Sequence, residues 1–126
     1  GWEGPRGGKC MIAYHHWEIA DNESSGLYQD VERADPNVNY TFSVYSYLDE
    51  DTNADYIELR IENLWGNGAI TSQTFYVGSL EIGKWQRLSV EGIPADKGLR
   101  TVIVVFPAKD KARKGCVKFD DAKLAR

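Results

Sequence analysis

The sequence predicts an all-β sandwich, and three observations carry that expectation. Apolar and polar residues alternate over short stretches, turn-forming residues separate the stretches, and no segment shows the three-and-four spacing of an amphipathic helix. The 126 residues suit one domain, with enough chain to bury a core of its own. A single domain over 1–126, cut from a larger multidomain protein, is therefore expected.

Eight strand segments follow in order. Lys9–Tyr14 reads KCMIAY and Leu27–Val31 reads LYQDV. Tyr40–Leu48, YTFSVYSYL, alternates aromatic, β-branched and small polar residues, and Tyr56–Ile61, YIELRI, alternates strictly. Ser72–Val77, Trp85–Val90, Leu99–Phe106 and Cys116–Leu124 complete the set. Between them lie NESSG, DPN, DEDTNAD, WGNG, GSLEIG, GIPADKG and PAKDKARKG. Asn, Asp and Gly fill such turns because they tolerate left-handed backbone or bond their own backbone.

Strand side chains point to opposite sides in turn. Tyr40, Phe42, Val44 and Leu48 share one side of their segment; Thr41, Ser43, Tyr45 and Tyr47 share the other. Ile57, Leu59 and Ile61 face one way, and Tyr56, Glu58, Arg60 and Glu62 the other. The two segments are joined by a polar turn and are expected to pair as a hairpin. One outer face then carries Tyr45, Tyr47 and Tyr56 beside Glu58, Arg60 and Glu62. That mixture suits a sugar: an aromatic plate packs on the apolar face of a pyranose, and charged side chains take the rim hydroxyls. The competing reading is cross-strand packing pairs on a solvated sheet.

Composition narrows the function further. The net charge is −4 and the pI near 5.1, which argues against nucleic acid as a partner. No apolar run is long enough to cross a bilayer, so no membrane is expected. The 4 Trp, 7 Tyr and 4 Phe are more than a small core uses easily, because each buried tyrosine hydroxyl needs a partner. The start, GWEGPRGG, lacks a basic-then-apolar leader; a secreted protein would have lost it or would carry it in a longer parent chain. Cys10 and Cys116 lie near the two ends. They are either a disulfide staple or two separate buried thiols.

The order GGKCMIAY, HHW, GLYQDV, VNYTFSVYSYL, KWQRLSVEGIP and GCVKFDDAKL resembles the jelly-roll carbohydrate-binding modules of the family 4, 9, 16 and 22 type. The resemblance covers nearly the whole chain. It implies a jelly-roll β-sandwich of two antiparallel sheets, with a polysaccharide lying in a concave-sheet groove. It also implies a secreted or cell-surface monomer that directs an attached glycoside hydrolase or lyase to substrate. Candidate ligands are a β-glucan, xylan, mannan or anionic algal polysaccharide. Trp17 occupies the place of a ligand-stacking Trp in some members, or else anchors a loop or the core. Trp65, at the WGNG turn, forms a groove wall or caps the sandwich. Tyr76 faces outward with Ser72 and Thr74. Trp85 matches a position that packs structurally.

The resemblance further implies a structural calcium. Asp120 or Asp121 in KFDDA matches the acidic pair that holds it, with backbone carbonyls of Gly8 and Lys9. The family's upstream acidic residue has no motif match here; Glu3 is a candidate by proximity. A second oxygen-rich stretch, Asp49-x-Asp51-x-Asn53-x-Asp55, resembles the start of an EF-hand loop. Ala54 stands where Gly is required and no Glu closes the loop, so a polar hairpin turn is expected there. His15 and His16 are adjacent, and no third His exists for a triad. The basic run Lys109–Lys114 reads as a solvated loop, or as a contact for a sulfate or carboxylate.

No Gly-x-Ser-x-Gly, His-Glu-x-x-His or phosphate loop is present, and nearly all of the chain is spent on the sandwich. A non-catalytic binding module is the expectation. The alternative is a structural or adhesive sandwich whose aromatic face meets another protein.

Overall fold

The computed structural model describes residues 11–15, 25–50, 52, 54–66, 68–107 and 116–126. Glu3, Gly8, Lys9, Cys10, His16, Trp17 and the 109–114 run lie outside the described residues, as does the side chain of Cys116.

Among the described residues eight strands appear: β1 (Met11–His15), β2 (Ser25–Val31), β3 (Tyr40–Leu48), β4 (Ala54–Glu62), β5 (Ala69–Tyr76), β6 (Trp85–Gly92), β7 (Leu99–Pro107) and β8 (Cys116–Ala125). The helical elements among the described residues are two three-residue 3-10 turns, Leu64–Gly66 and Val77–Ser79. Each strand from β3 to β8 begins or ends at Gly, Asn or Pro, as turn chemistry requires.

The strands form two four-stranded antiparallel sheets, ordered β1-β8-β3-β6 and β2-β7-β4-β5. The first strand pairs with the last, the second with the seventh, the third with the sixth and the fourth with the fifth. This is one long antiparallel ribbon folded over into a jelly roll.

The expected hairpin between Tyr40–Leu48 and Tyr56–Ile61 does not form. β3 pairs with β6 and β8, while β4 pairs with β5 and β7 in the other sheet. The polar turn between them crosses from one sheet to the other. Tyr45 and Tyr47 therefore lie on the opposite face of the sandwich from Tyr56, Glu58 and Arg60. Asp49, from that turn, accepts a hydrogen bond from Lys118 Nζ at 3.0 Å, which gives the buried ammonium a counter-charge.

The core fills the space between the sheets. Phe42, Val44, Leu48 and Phe119 come from the first sheet, and Ile57, Leu59, Ile61 and Val105 from the second; all are buried. Ser46 shares the inward side of β3, is wholly buried, and its Oγ has no hydrogen-bond partner. A buried unpaired hydroxyl carries its full desolvation penalty. Ser46→Ala is therefore expected to raise unfolding free energy by about 1 kcal/mol, read from urea denaturation. A loss of stability would show that the hydroxyl is satisfied.

β8 carries one extra residue where it pairs with β3: Ser43 faces Lys123 and Tyr45 faces Asp120, so the register slips between them. Asp121, in the slip, has φ 53°, a left-handed conformation found at bulges. Asp120 stands opposite Tyr45, and Asp121 lines the same outer hollow as Tyr45. The bulge thus turns both carboxylates toward one face, where a regular strand would send them apart.

Candidate carbohydrate-binding face

The outer face of the β2-β7-β4-β5 sheet follows from register, because residues paired across strands share a face. The alternation that buries Ile57, Leu59 and Ile61 turns Tyr56, Glu58, Arg60 and Glu62 outward. Tyr56 stands beside Phe106 and Tyr76 in one row. Arg60 stands beside Val102, which pairs with Tyr28, and beside Ser72 on the other side. Glu62 stands beside Arg100, which pairs with Asp30.

The first row is an aromatic platform. Tyr56 stacks on Phe106 with centroids 4.4 Å apart and planes at 19°. Tyr76 tilts against Tyr56 at 5.5 Å and is 56% exposed at the sheet edge. Burial pushes the Tyr56 phenol above its ordinary pKa, and the Glu58 carboxylate adds to the shift. The hydroxyl therefore keeps its proton and its donor capacity.

Charges occupy the middle. Arg60 Nε donates to Glu58 Oε1 at 2.6 Å, and its Nη1 lies 3.7 Å from Glu62 Oε2. The hydrogen bond to Glu58 is the main reason the guanidinium is held even further above its ordinary pKa. Such a fixed fork presents its remaining N–H groups and carboxylate lone pairs in set directions.

The far end holds a second constellation. Arg100 Nε and Nη2 donate to Asp30 Oδ1 and Oδ2 at 2.7 and 3.2 Å. The Arg100 hydrogen bond holds the Asp30 carboxyl below the usual carboxylate range, and the backbone N–H of Trp65 adds to it. The guanidinium also lies 4.0 Å above the Tyr28 ring centroid. Trp65 is 66% exposed beside Asp30. Its backbone sits at φ 67°, ψ 16°, an uncommon conformation for a bulky residue.

Among the described residues, Tyr28, Trp65 and Tyr76 are the exposed large aromatics, and all three belong to this sheet or its rim. The other outer face is different. Tyr45 and Tyr47 are half-buried, and Tyr47 packs against Trp85 at 5.5 Å with the Lys118 ammonium 5.2 Å from its ring centre. Sequence reasoning did not select Tyr28, Asp30, Arg100 or Phe106. The LYQDV alternation carried a signal for the first two, because it sets Tyr28 and Asp30 on the side opposite Leu27, Gln29 and Val31.

No protein-family model and no curated protein matches the sequence. Solved structures do resemble the fold. One is described as the C-terminal domain of EclA, a sugar-binding protein, with TM-score 0.60 and 12% identity over 99% of this chain and 89% of that one. A second, described as CBM4 structure and function, gives 0.57 and 17% over 86% and 67%. A third comes from work on promiscuous carbohydrate-binding modules of the β-sandwich superfamily, at 0.62 and 12% over 93% and 54%. This chain therefore has the jelly-roll β-sandwich fold that those carbohydrate-binding structures share.

Proposed function

We propose that the chain is a non-catalytic module that binds a polysaccharide on the outer face of the β2-β7-β4-β5 sheet. The observation that carries this is the gathering of Tyr28, Trp65 and Tyr76, all exposed, around the Glu58–Arg60–Glu62 group. Exposed aromatic plates beside fixed polar groups suit an amphipathic ring ligand. The sugar-binding descriptions of the structural neighbours point the same way. The ligand is a β-glucan, xylan, mannan or anionic algal polysaccharide. The module works outside the cell as a monomer, bringing an attached glycoside hydrolase or lyase to its substrate.

The carboxylates of this face also support binding without chemistry. A glycosidase acid needs a raised pKa. Here the Arg100 hydrogen bond holds Asp30 below the usual carboxylate range. Affinity electrophoresis against neutral and acidic polysaccharides tests the proposal; normal mobility in every gel would refute it.

Calcium belongs to the same reading. Asp120 is buried and its Oδ2 has no hydrogen-bond partner, which suits a hard cation better than an empty interior. Asp120 and Asp121 would supply the carboxylates, and the bulge aims both at one face. Among the described residues no group of three or more His, Cys, Asp or Glu gathers, so the remaining oxygens fall to Glu3, Gly8 and Lys9 or to water. Bound there, calcium would tie the last strand to the chain entering β1. The melting temperature is expected to rise by several degrees in millimolar calcium and to fall back with chelator, and Asp120→Asn is expected to remove the response. An identical melt in both conditions would rule the ion out.

A further inference from the structure

Resting on the binding reading above, we propose that Tyr28 and Trp65 form a second sugar subsite, separate from the Tyr56–Tyr76–Phe106 platform. The Asp30–Arg100 pair positions it. The face consequently takes a stretch of about four linked pyranoses and holds a single sugar or a dimer weakly.

The spacing comes from register. Tyr76 is on β5 and Tyr28 on β2, at opposite edges of a four-stranded sheet. Tyr76 shares a row with Tyr56, and Tyr28 shares one with Arg60, four residues further along β4. Three strand spacings across and four residues along give a diagonal of roughly 20 Å. A single ring or a disaccharide reaches one plate; a chain of about four rings reaches both. The ground between is low. Gly26, Val102 and Val104 occupy the outward positions of β2 and β7 there, and Gly26 leaves no room for more, since a Cβ would come 2.7 Å from the Ile103 carbonyl oxygen.

Arg100 acts as a positioning residue here. Two of its nitrogens are spent on Asp30, and one face of its guanidinium covers one face of the Tyr28 ring. Tyr28 remains 65% exposed, which leaves the ring's other face for a ligand. Nη1 occupies the space beside Gly66, where a Cβ would overlap it. Asp30 meanwhile lines one hollow with Trp65, whose backbone is left-handed at the turn. One ion pair therefore backs the Tyr28 ring and borders Trp65.

Titration calorimetry with β-1,4-linked gluco-, xylo- and manno-oligosaccharides of two to six units tests the proposal. In at least one series the hexamer is expected to bind wild type at least about tenfold more tightly than the dimer, the size of effect one aromatic anchor supplies. Tyr28→Ala and Arg100→Met are each expected to collapse that ratio toward one. A purely structural Arg100 would lower stability without changing the length dependence, and exposed Tyr28 is removable without disturbing the core. A wild-type ratio already near one, or a ratio unchanged in Tyr28→Ala, would overturn the second subsite while leaving the first platform standing. Absence of binding to every oligosaccharide would overturn this subsite; the binding reading beneath it falls only if mobility is also normal in every polysaccharide gel.

Discussion

Tyr56→Ala combined with Tyr76→Ala is expected to weaken polysaccharide retention by thirtyfold or more, corresponding to about 2–4 kcal/mol for a central aromatic anchor. The two rings lie 5.5 Å apart, and Tyr56 is backed by Phe106 at 4.4 Å. Removing both therefore takes away the plate and its support together. Tyr76 is mostly exposed, so Tyr76→Ala alone should leave the melting temperature within a degree or two while still weakening binding. That single variant separates lost contact from lost fold. The comparison is Tyr45→Ala with Tyr47→Ala, on the opposite face. Loss of retention there, with retention kept in the first pair, would move the site to the β1-β8-β3-β6 sheet.

The largest effect on stability is expected at Phe119. It is 1% exposed at the centre of the core, on β8 between β1 and β3. Phe119→Ala deletes a whole ring that the surrounding sheets cannot collapse to replace, at a cost of about 3–5 kcal/mol. Against the usual 5–15 kcal/mol for a domain, that is a large share of the total. Denaturation in guanidinium should show a lower midpoint with an unchanged slope, which marks a change in stability alone. Ile82→Ala, at a site 45% exposed, should shift the same midpoint little. Equal midpoints for the two variants would contradict this account of the core.

The sandwich was legible because alternation is a local property. Tyr40–Leu48 was bounded as the structure bounds it, and the inward set Ile57, Leu59 and Ile61 is the buried set. Partnership between strands is not local. A short polar turn reads the same whether it reverses a strand within one sheet or carries the chain to the other, and here the pairing of β3 with β6 and β8 decides. That one difference split the imagined face of Tyr45, Tyr47, Glu58 and Arg60 into two halves on opposite sides of the molecule. It also hid the contribution of β2 and β7. Tyr28 and Arg100 are seventy-two positions apart in sequence terms and meet only because their strands pair. Asp30 and Arg100 gave no local signal that they would form a bidentate pair. Trp65 was visible as an indole at a glycine turn, but its place beside Asp30 was not.

The folded ribbon has a kinetic consequence. β4 and β5 are joined by a short turn and can pair as soon as both exist, whereas β1 waits for β8, with His15 meeting Cys116. Closing such a loop is entropically slow, and chains dominated by distant pairings fold in milliseconds to seconds. During synthesis, β3 can find β6 early, but its other edge stays unpaired until the last strand emerges. Until then the chain carries an open apolar strand edge, and that interval is when it is most exposed to mispairing with another copy.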